Sequence, residues 1–223
     1  MAEIKRVIDR HQNAQQAKGR RDAADGKNAS AAAAQGVLEN QREIAKHKPI
    51  LRRTAPPWSR YSDEVADYPD ESAKSVDEEF MRAALELASE AEVAGEVPVG
   101  AVVVIEGRIV GRGYNSPVSQ QDPTAHAEVL AIRQAAKVVG NYRLTGATLY
   151  VTLEPCPMCA GAMVHARVGR LVFGARDLRF GGIRSKFRLA DSDLLNHRVE
   201  VVEGVCTAEC VERLQRFFAR KRG

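Results

Sequence analysis

The chain has 223 residues, 44% of them hydrophobic, with 33 Lys and Arg against 29 Asp and Glu. That is room for one full domain plus something more, and no apolar run is long enough to span a bilayer. The net charge of +4 permits a nucleic-acid partner without requiring one, and four cysteines, two of them in a metal-type pair, point to reduced thiols and a cytoplasmic setting.

The first 75 residues differ in character from the rest. Ala, Gln, Arg and Asn dominate, and no aromatic residue precedes Trp58. Two stretches, near 3–17 and 30–46, have helical composition but no apolar stripe wide enough to specify a core. Residues 1–60 carry 13 Lys/Arg against 6 Asp/Glu, and residues 61–79 carry 1 against 8. Such a basic block is either an RNA-binding arm or a solvated, disordered face. Glu3 and Asp9 argue against a transit peptide, and no secretory apolar core is present. The expectation is a low-complexity extension over 1–75, disordered or partly helical, ending in the Pro56-Pro57 and Pro69-Asp70 linker signals.

From about Val76, Phe80, Ala83, Ala84, Leu87, Ala88 and Ala91 recur at helical spacing, and Gly95 closes that helix. Val99–Ile105, the turn Glu106-Gly107 and Arg108–Tyr114 read as a β-hairpin. A helix follows Asp122-Pro123-Thr124, with Thr124 as N-cap, and runs to about Val139. Thr148–Leu153 is a buried strand, Cys156–Arg167 a helix, Leu171–Gly174 and Val199–Val202 strands, and Thr207 opens a terminal helix. Strands alternating with helices after a hairpin imply a mixed five-stranded sheet covered on both faces, a three-layer α/β/α domain over 76–223.

Two short stretches of this domain carry chemistry. His126-Ala127-Glu128 is His-x-Glu, and Pro155-Cys156-Pro157-Met158-Cys159 is Pro-Cys-x-x-Cys. Alone, the cysteine pair could be redox-active or half of a zinc ribbon; a ribbon needs a second matching pair, and Cys206 and Cys210 are spaced differently. Together, His126, Cys156 and Cys159 suit a tetrahedral zinc with its fourth position left for water. Glu128 sits where it can move that water's protons. Both stretches fall at helix starts, whose positive ends lower thiol pKa and favour thiolates.

Residues from about 77 onward resemble the bacterial tRNA-specific adenosine deaminases (the TadA family), within the cytidine deaminase-like superfamily. The zinc motifs carry the superfamily. The narrower resemblance rests on Val97-Pro98-Val99-Gly100-Ala101, Thr124-Ala125-His126-Ala127-Glu128, Asn141-Tyr142-Arg143-Leu144, Phe173-Gly174-Ala175-Arg176-Asp177 and Asn196-His197-Arg198-Val199. It implies hydrolytic deamination of adenosine to inosine at the wobble position of a tRNA anticodon, usually by a homodimer with one zinc per subunit. On that resemblance His126, Cys156 and Cys159 hold zinc and Glu128 transfers protons. Asn115 hydrogen-bonds the flipped base, and Asp177 lies near the ribose 2′-hydroxyl. The segment 178–195 departs from the family, with Arg179-Phe180-Gly181-Gly182-Ile183-Arg184 in place of a run of small residues.

A phosphate surface is also expected. Arg176, Arg179, Arg184, Lys186 and Arg188 alternate with Phe180 and Phe187, and Arg216, Arg220, Lys221 and Arg222 end the chain. Phe217, Phe218, Cys206 and Cys210 are assigned to packing, and His165 to the surface or to support of the ligands. The alternative enzyme is a deaminase of free bases or nucleosides, guanine or cytosine, with the same zinc site. A non-catalytic zinc module that binds RNA would leave Glu128 without a task.

Overall fold

A computed structural model describes residues 71–222. The expected extension over 1–75 lies outside them apart from its last five residues, as do the two candidate helices and the basic block. The first described element, α1 (Glu71–Val93), starts five residues ahead of the expected Val76. Its buried Met81, Ala84, Leu85, Leu87, Ala88 and Ala91 form one face at helical spacing. Gly95 ends it in the left-handed region, φ +79°, where glycine is free of Cβ strain.

The hairpin is β1 (Gly100–Ile105) and β2 (Arg108–Tyr114). A single turn, α2 (Pro117–Gln120), follows and was not expected: four residues are too few to show an apolar period. Then come α3 (Ala127–Val139), β3 (Thr148–Leu153), α4 (Pro157–Ala166), β4 (Arg170–Ala175), β5 (Glu200–Glu203) and α5 (Thr207–Arg220). The sheet order is β2-β1-β3-β4-β5. β1 is antiparallel to β2 and β3, whereas β3–β4 and β4–β5 are parallel. The sheet is therefore mixed and five-stranded, as expected.

Side-chain alternation divides the core into two layers. Ala101, Val103, Leu149, Val151, Leu171 and Phe173 point to the face that packs residues of α3 and α4, such as Ala131 and Met163. Val102, Val104, Tyr150 and Val172 point to the face that packs α1 and α5 through Met81, Leu85 and Leu214. One buried ion pair secures the second face. Arg170 grips Asp77 with two hydrogen bonds of 2.8 and 2.7 Å, and the Tyr150 hydroxyl donates to the same carboxylate at 2.8 Å. Burial and that carboxylate push the Tyr150 phenol up, above its ordinary range.

Two glycines set how closely the first ligand helix lies. A Cβ at Gly111 or Gly113 would collide with the backbone carbonyl of Ala131 or Ala127, so β2 and α3 pack backbone to backbone. That contact brings the start of α3 down onto the end of β2.

Candidate active site

Every segment of the site leaves the same edge of the sheet. β3 and β4 end there in parallel, with Leu153 opposite Ala175. β1 begins there, because it runs against β2 and β3 and its Gly100 pairs with Tyr114 at the end of β2. Open α/β sheets form their clefts outside the carboxyl ends of the parallel strands. The cleft here has a volume of about 490 Å³ and is walled by Val97, Val99, Leu153, Pro157 and Met158, with Asn115, His126, Glu128, Cys156, Asp177 and Phe180 presented to it.

His126 is the N-cap of α3, with extended backbone (φ −78°, ψ 149°). The expected cap, Thr124, instead lies two residues before it: its N–H and hydroxyl both donate to Asp122 Oδ1, at 2.8 and 2.7 Å. An Asp two residues upstream offers a tighter turn than the helix offers a cap, so Thr124 is drawn away. Cys156 is likewise the N-cap of α4; Pro157 occupies the first helical position, and Cys159 follows on the same turn.

The two helix starts bring three ligand atoms together. Cys156 Sγ lies 3.7 Å from His126 Nδ1, Cys159 Sγ lies 3.6 Å from it, and the two sulfurs are 3.6 Å apart and unbonded. Tetrahedral zinc with bonds of about 2.3 Å to sulfur and about 2.0 Å to nitrogen needs ligand separations of about 3.5–3.8 Å. His126, Cys156 and Cys159 therefore fit a zinc site.

The donors' protonation leads to the same conclusion. The Cys156 thiol falls to about 4, chiefly because Cys159 donates to its sulfur, with His126 adding to the effect against the opposition of burial. Cys159 is pushed up by that same bond and by burial, so the pair gives up one proton readily and keeps the other. A cation in the middle removes the conflict by making both thiolates favourable. His126 is raised, first by its hydrogen bond to Cys156.

Glu128 is buried at 4% exposure and lies within the electrostatic reach of Cys156 and His126. Burial raises its carboxyl above the usual range, the direction expected of a group that exchanges protons near neutral pH. Asn115 lies at the end of β2. Its Oδ1 accepts the Ala127 N–H at 3.0 Å, which turns the amide so that its NH₂ is left to donate. Asp177 faces the cleft with Oδ1 already accepting the N–H groups of Arg179 and Phe180, at 2.9 and 3.2 Å. His165 is exposed on α4.

Sequence reasoning missed Glu154. It is buried, and its carboxylate gathers the loop after β4. Oε1 accepts the N–H groups of Ile183, Arg184 and Ser185 at 3.1, 2.7 and 2.9 Å. Oε2 accepts the Asp177 N–H at 3.0 Å and the Ser185 hydroxyl. Gly181 presses against that carboxylate with no space for a Cβ. The only signal in the sequence was a carboxylate set between an apolar strand and Pro-Cys-x-x-Cys.

Internal pairing takes up part of the expected phosphate surface. Arg176 makes two 2.7 Å bonds to Glu203, and Arg184 and Arg188 share Asp191 at 2.9 and 3.0 Å. Arg216 and Arg220, with Arg213, converge on Glu92. Acidic partners 3 to over 100 residues away neutralise charge that looked free in the linear order. Phe217 is buried and stacks edge-on with Phe218 at 5.3 Å, so both belong to packing, as does the buried Cys210.

Residues 74–175 match the family described as the cytidine and deoxycytidylate deaminase zinc-binding region. The chain is 54% identical over 147 residues to a tRNA-specific adenosine deaminase of Haemophilus influenzae, covering 66% of this chain and 85% of that protein. It is 49% identical over 146 residues to a tRNA-specific adenosine deaminase of Bacillus subtilis, covering 66% and 91%. A solved structure from studies of A-to-I editing by tRNA:A34 deaminases at the wobble position superposes with a TM-score of 0.59 and 43% identity, over 61% of this chain and 99% of the other.

Proposed function

This chain belongs to the family of tRNA-specific adenosine deaminases, and from that premise we infer that it hydrolyses adenosine to inosine at the wobble position of a tRNA anticodon. The observation that carries the reading is the triangle of His126 Nδ1, Cys156 Sγ and Cys159 Sγ in a cleft shared with the buried Glu128. Zinc held by those three atoms supplies a Lewis acid that makes water a nucleophile at neutral pH.

The protein's own groups do the rest. Glu128 takes a proton from the attacking water and passes it to the purine ring as carbon 6 becomes tetrahedral; it then takes the proton of the new carbon-6 hydroxyl and gives it to the departing amine. Water adds, ammonia leaves, and the carboxyl returns to its starting state. The Asn115 NH₂ donates to the base, while its carbonyl stays tied to α3. Asp177 contacts the ribose through Oδ2, the oxygen that its own loop leaves uncommitted, and reads the 2′-hydroxyl. The apolar walls, Val97, Val99 and Leu153, stack on and dehydrate an extruded base.

Residues 76–223 form the deaminase domain in this reading, and 1–75 an extension to it. A homodimer with one zinc per subunit and a cytoplasmic location complete it. No helix among the described residues is long and apolar enough to cross a membrane.

The test is inosine formation on an anticodon stem-loop with adenosine at the wobble position, run for the zinc-loaded chain and for Glu128→Ala. Inosine from the first and a loss of about 10²–10⁴-fold in the second is expected. No inosine from the zinc-loaded chain, with turnover of guanine or cytosine instead, would reject tRNA as the substrate.

A further inference from the structure

Phe180 stands at the mouth of the cleft with 63% of its surface exposed, though it is among the residues that line it. An exposed phenylalanine on a mobile loop would fold back onto the nearby apolar wall, where Pro157 and Met158 offer contact. The backbone that carries this one is held in place. Its N–H is bound to Asp177 Oδ1 at 3.2 Å, and the next N–H, of Gly181, to the Asp177 carbonyl at 2.8 Å. Gly182 N–H donates to the Pro155 carbonyl at 2.7 Å, beside the metal-ligand segment. Gly181 is pressed on Glu154, which holds the amides of Ile183, Arg184 and Ser185. The backbone is pinned on both sides of a ring that faces water.

The Arg179 guanidinium lies over the Phe180 ring, 5.7 Å from its centroid, and so adds positive charge to an exposed aromatic side chain. Charge plus an open ring is the chemistry that receives a nucleobase and its phosphate. We propose that Phe180 is a stacking surface for the base adjacent in sequence to the reacting adenosine, making it a specificity-determining residue for a single-stranded loop. The proposal rests on the RNA reading above and adds to it a residue that touches the substrate outside the reacting base. Phe187 is exposed as well, but does not line the cleft.

The test uses the full zinc-loaded chain and anticodon stem-loops carrying 2-aminopurine on one side or the other of the wobble adenosine. Wild type should change the probe's fluorescence at one of the two positions. Phe180→Ala should lose that change and raise KM for the unlabelled stem-loop about tenfold, the size of one base–aromatic stack, with kcat nearly kept. Phe180→Tyr should restore both. The control is Tyr142→Ala. Tyr142 is another exposed aromatic beside an arginine, but it lies in the loop before β3, at the opposite end of the sheet from the cleft.

Deamination by wild type with no probe response, or with an unchanged KM in Phe180→Ala, overturns stacking and leaves the deaminase reading standing. Sedimentation showing that Phe180→Ala dissociates a dimer assigns the ring to a second copy of the chain and also overturns it. A probe response without inosine keeps the stacking and rejects the reaction. Neither response nor inosine rejects both.

Discussion

The side-chain carbonyl of Asn115 accepts the backbone N–H of Ala127 at 3.0 Å, tying the end of β2 to the first residue of the helix that carries Glu128. One bond thereby does two things: it satisfies a helix-start donor, and it orients the amide nitrogen toward the cleft.

Asn115→Asp separates these tasks. Aspartate keeps an acceptor for Ala127 but replaces the NH₂ donor with a second acceptor. Zinc content and melting temperature should stay near wild type, while kcat/KM on the stem-loop falls about ten- to a hundredfold, matching about 1–3 kcal/mol for an unmet polar group. An Asp variant as active as wild type would remove Asn115 from base recognition.

Glu154→Gln tests the loop clamp without changing size. Three N–H groups reach one carboxylate oxygen, and an N–H and a hydroxyl reach the other, so an amide NH₂ at either place meets donors. Hydrogen exchange at Ile183, Arg184 and Ser185 should speed up, with one metal per chain retained and KM for the stem-loop raised. Unchanged protection at those three amides would mean that the loop is held by something else.

Zinc removal exposes the uneven thiol pair. In the chelator-treated chain, Cys156 is the half-buried thiol whose ionisation falls to about 4, through the bonds from Cys159 and His126. Cys206 is pushed up to about 11, chiefly by burial. Alkylation between pH 6 and 8 should therefore label Cys156 first, at a rate nearly independent of pH, and zinc should protect it. The melting temperature should fall on chelation and recover when zinc is restored. First labelling at Cys206 or Cys210 would contradict the assignment.

Glu92 links stability to acid. Its side chain is 13% exposed, and Arg213, Arg216 and Arg220 of α5 surround it. The Arg216 hydrogen bond, then the charges of all three arginines, hold its carboxyl below the usual range despite burial. Its folded pKa is depressed, so the stabilisation is present in full above the unfolded value, about 4.3, and disappears as pH falls through the folded one. Wild type should melt higher than Glu92→Gln at pH 7, and the difference should close in acid and shrink with salt. A gap that persists below both pKa values would point to packing rather than charge.

Apart from the early start of α1 and the unexpected α2, the elements were legible to within a residue or two. β3 spans the expected Thr148–Leu153, and the Glu106-Gly107 turn joins the strands expected of it. Less legible were local competitions, such as Asp122 capturing Thr124 and leaving His126 to cap α3. The Asn196-His197 pair is another case. In the structure, Arg167 donates to Asn196 and His197 Nε2 sits 2.6 Å from the Val168 carbonyl, so this stretch secures the chain beyond α4.

What the sequence by itself determined was the candidate metal set and the three-layer fold, and, through its resemblance to a family, the reaction. Ligands spaced within one helical turn, and apolar residues at period two or 3.6, are consequences of local geometry that any reader of the chain can apply. The tertiary structure alone decided which distant groups meet. Sheet order places the starts of β1 and the ends of β2, β3 and β4 on one edge, and so brings Asn115, Glu128, Cys156 and Asp177 to one cleft. The same folding gives Glu154 its loop, neutralises arginines that looked free, and leaves Phe180 facing water on a pinned backbone. Those pairings span tens of residues, and their partners are chosen by packing, which spacing along the chain does not encode.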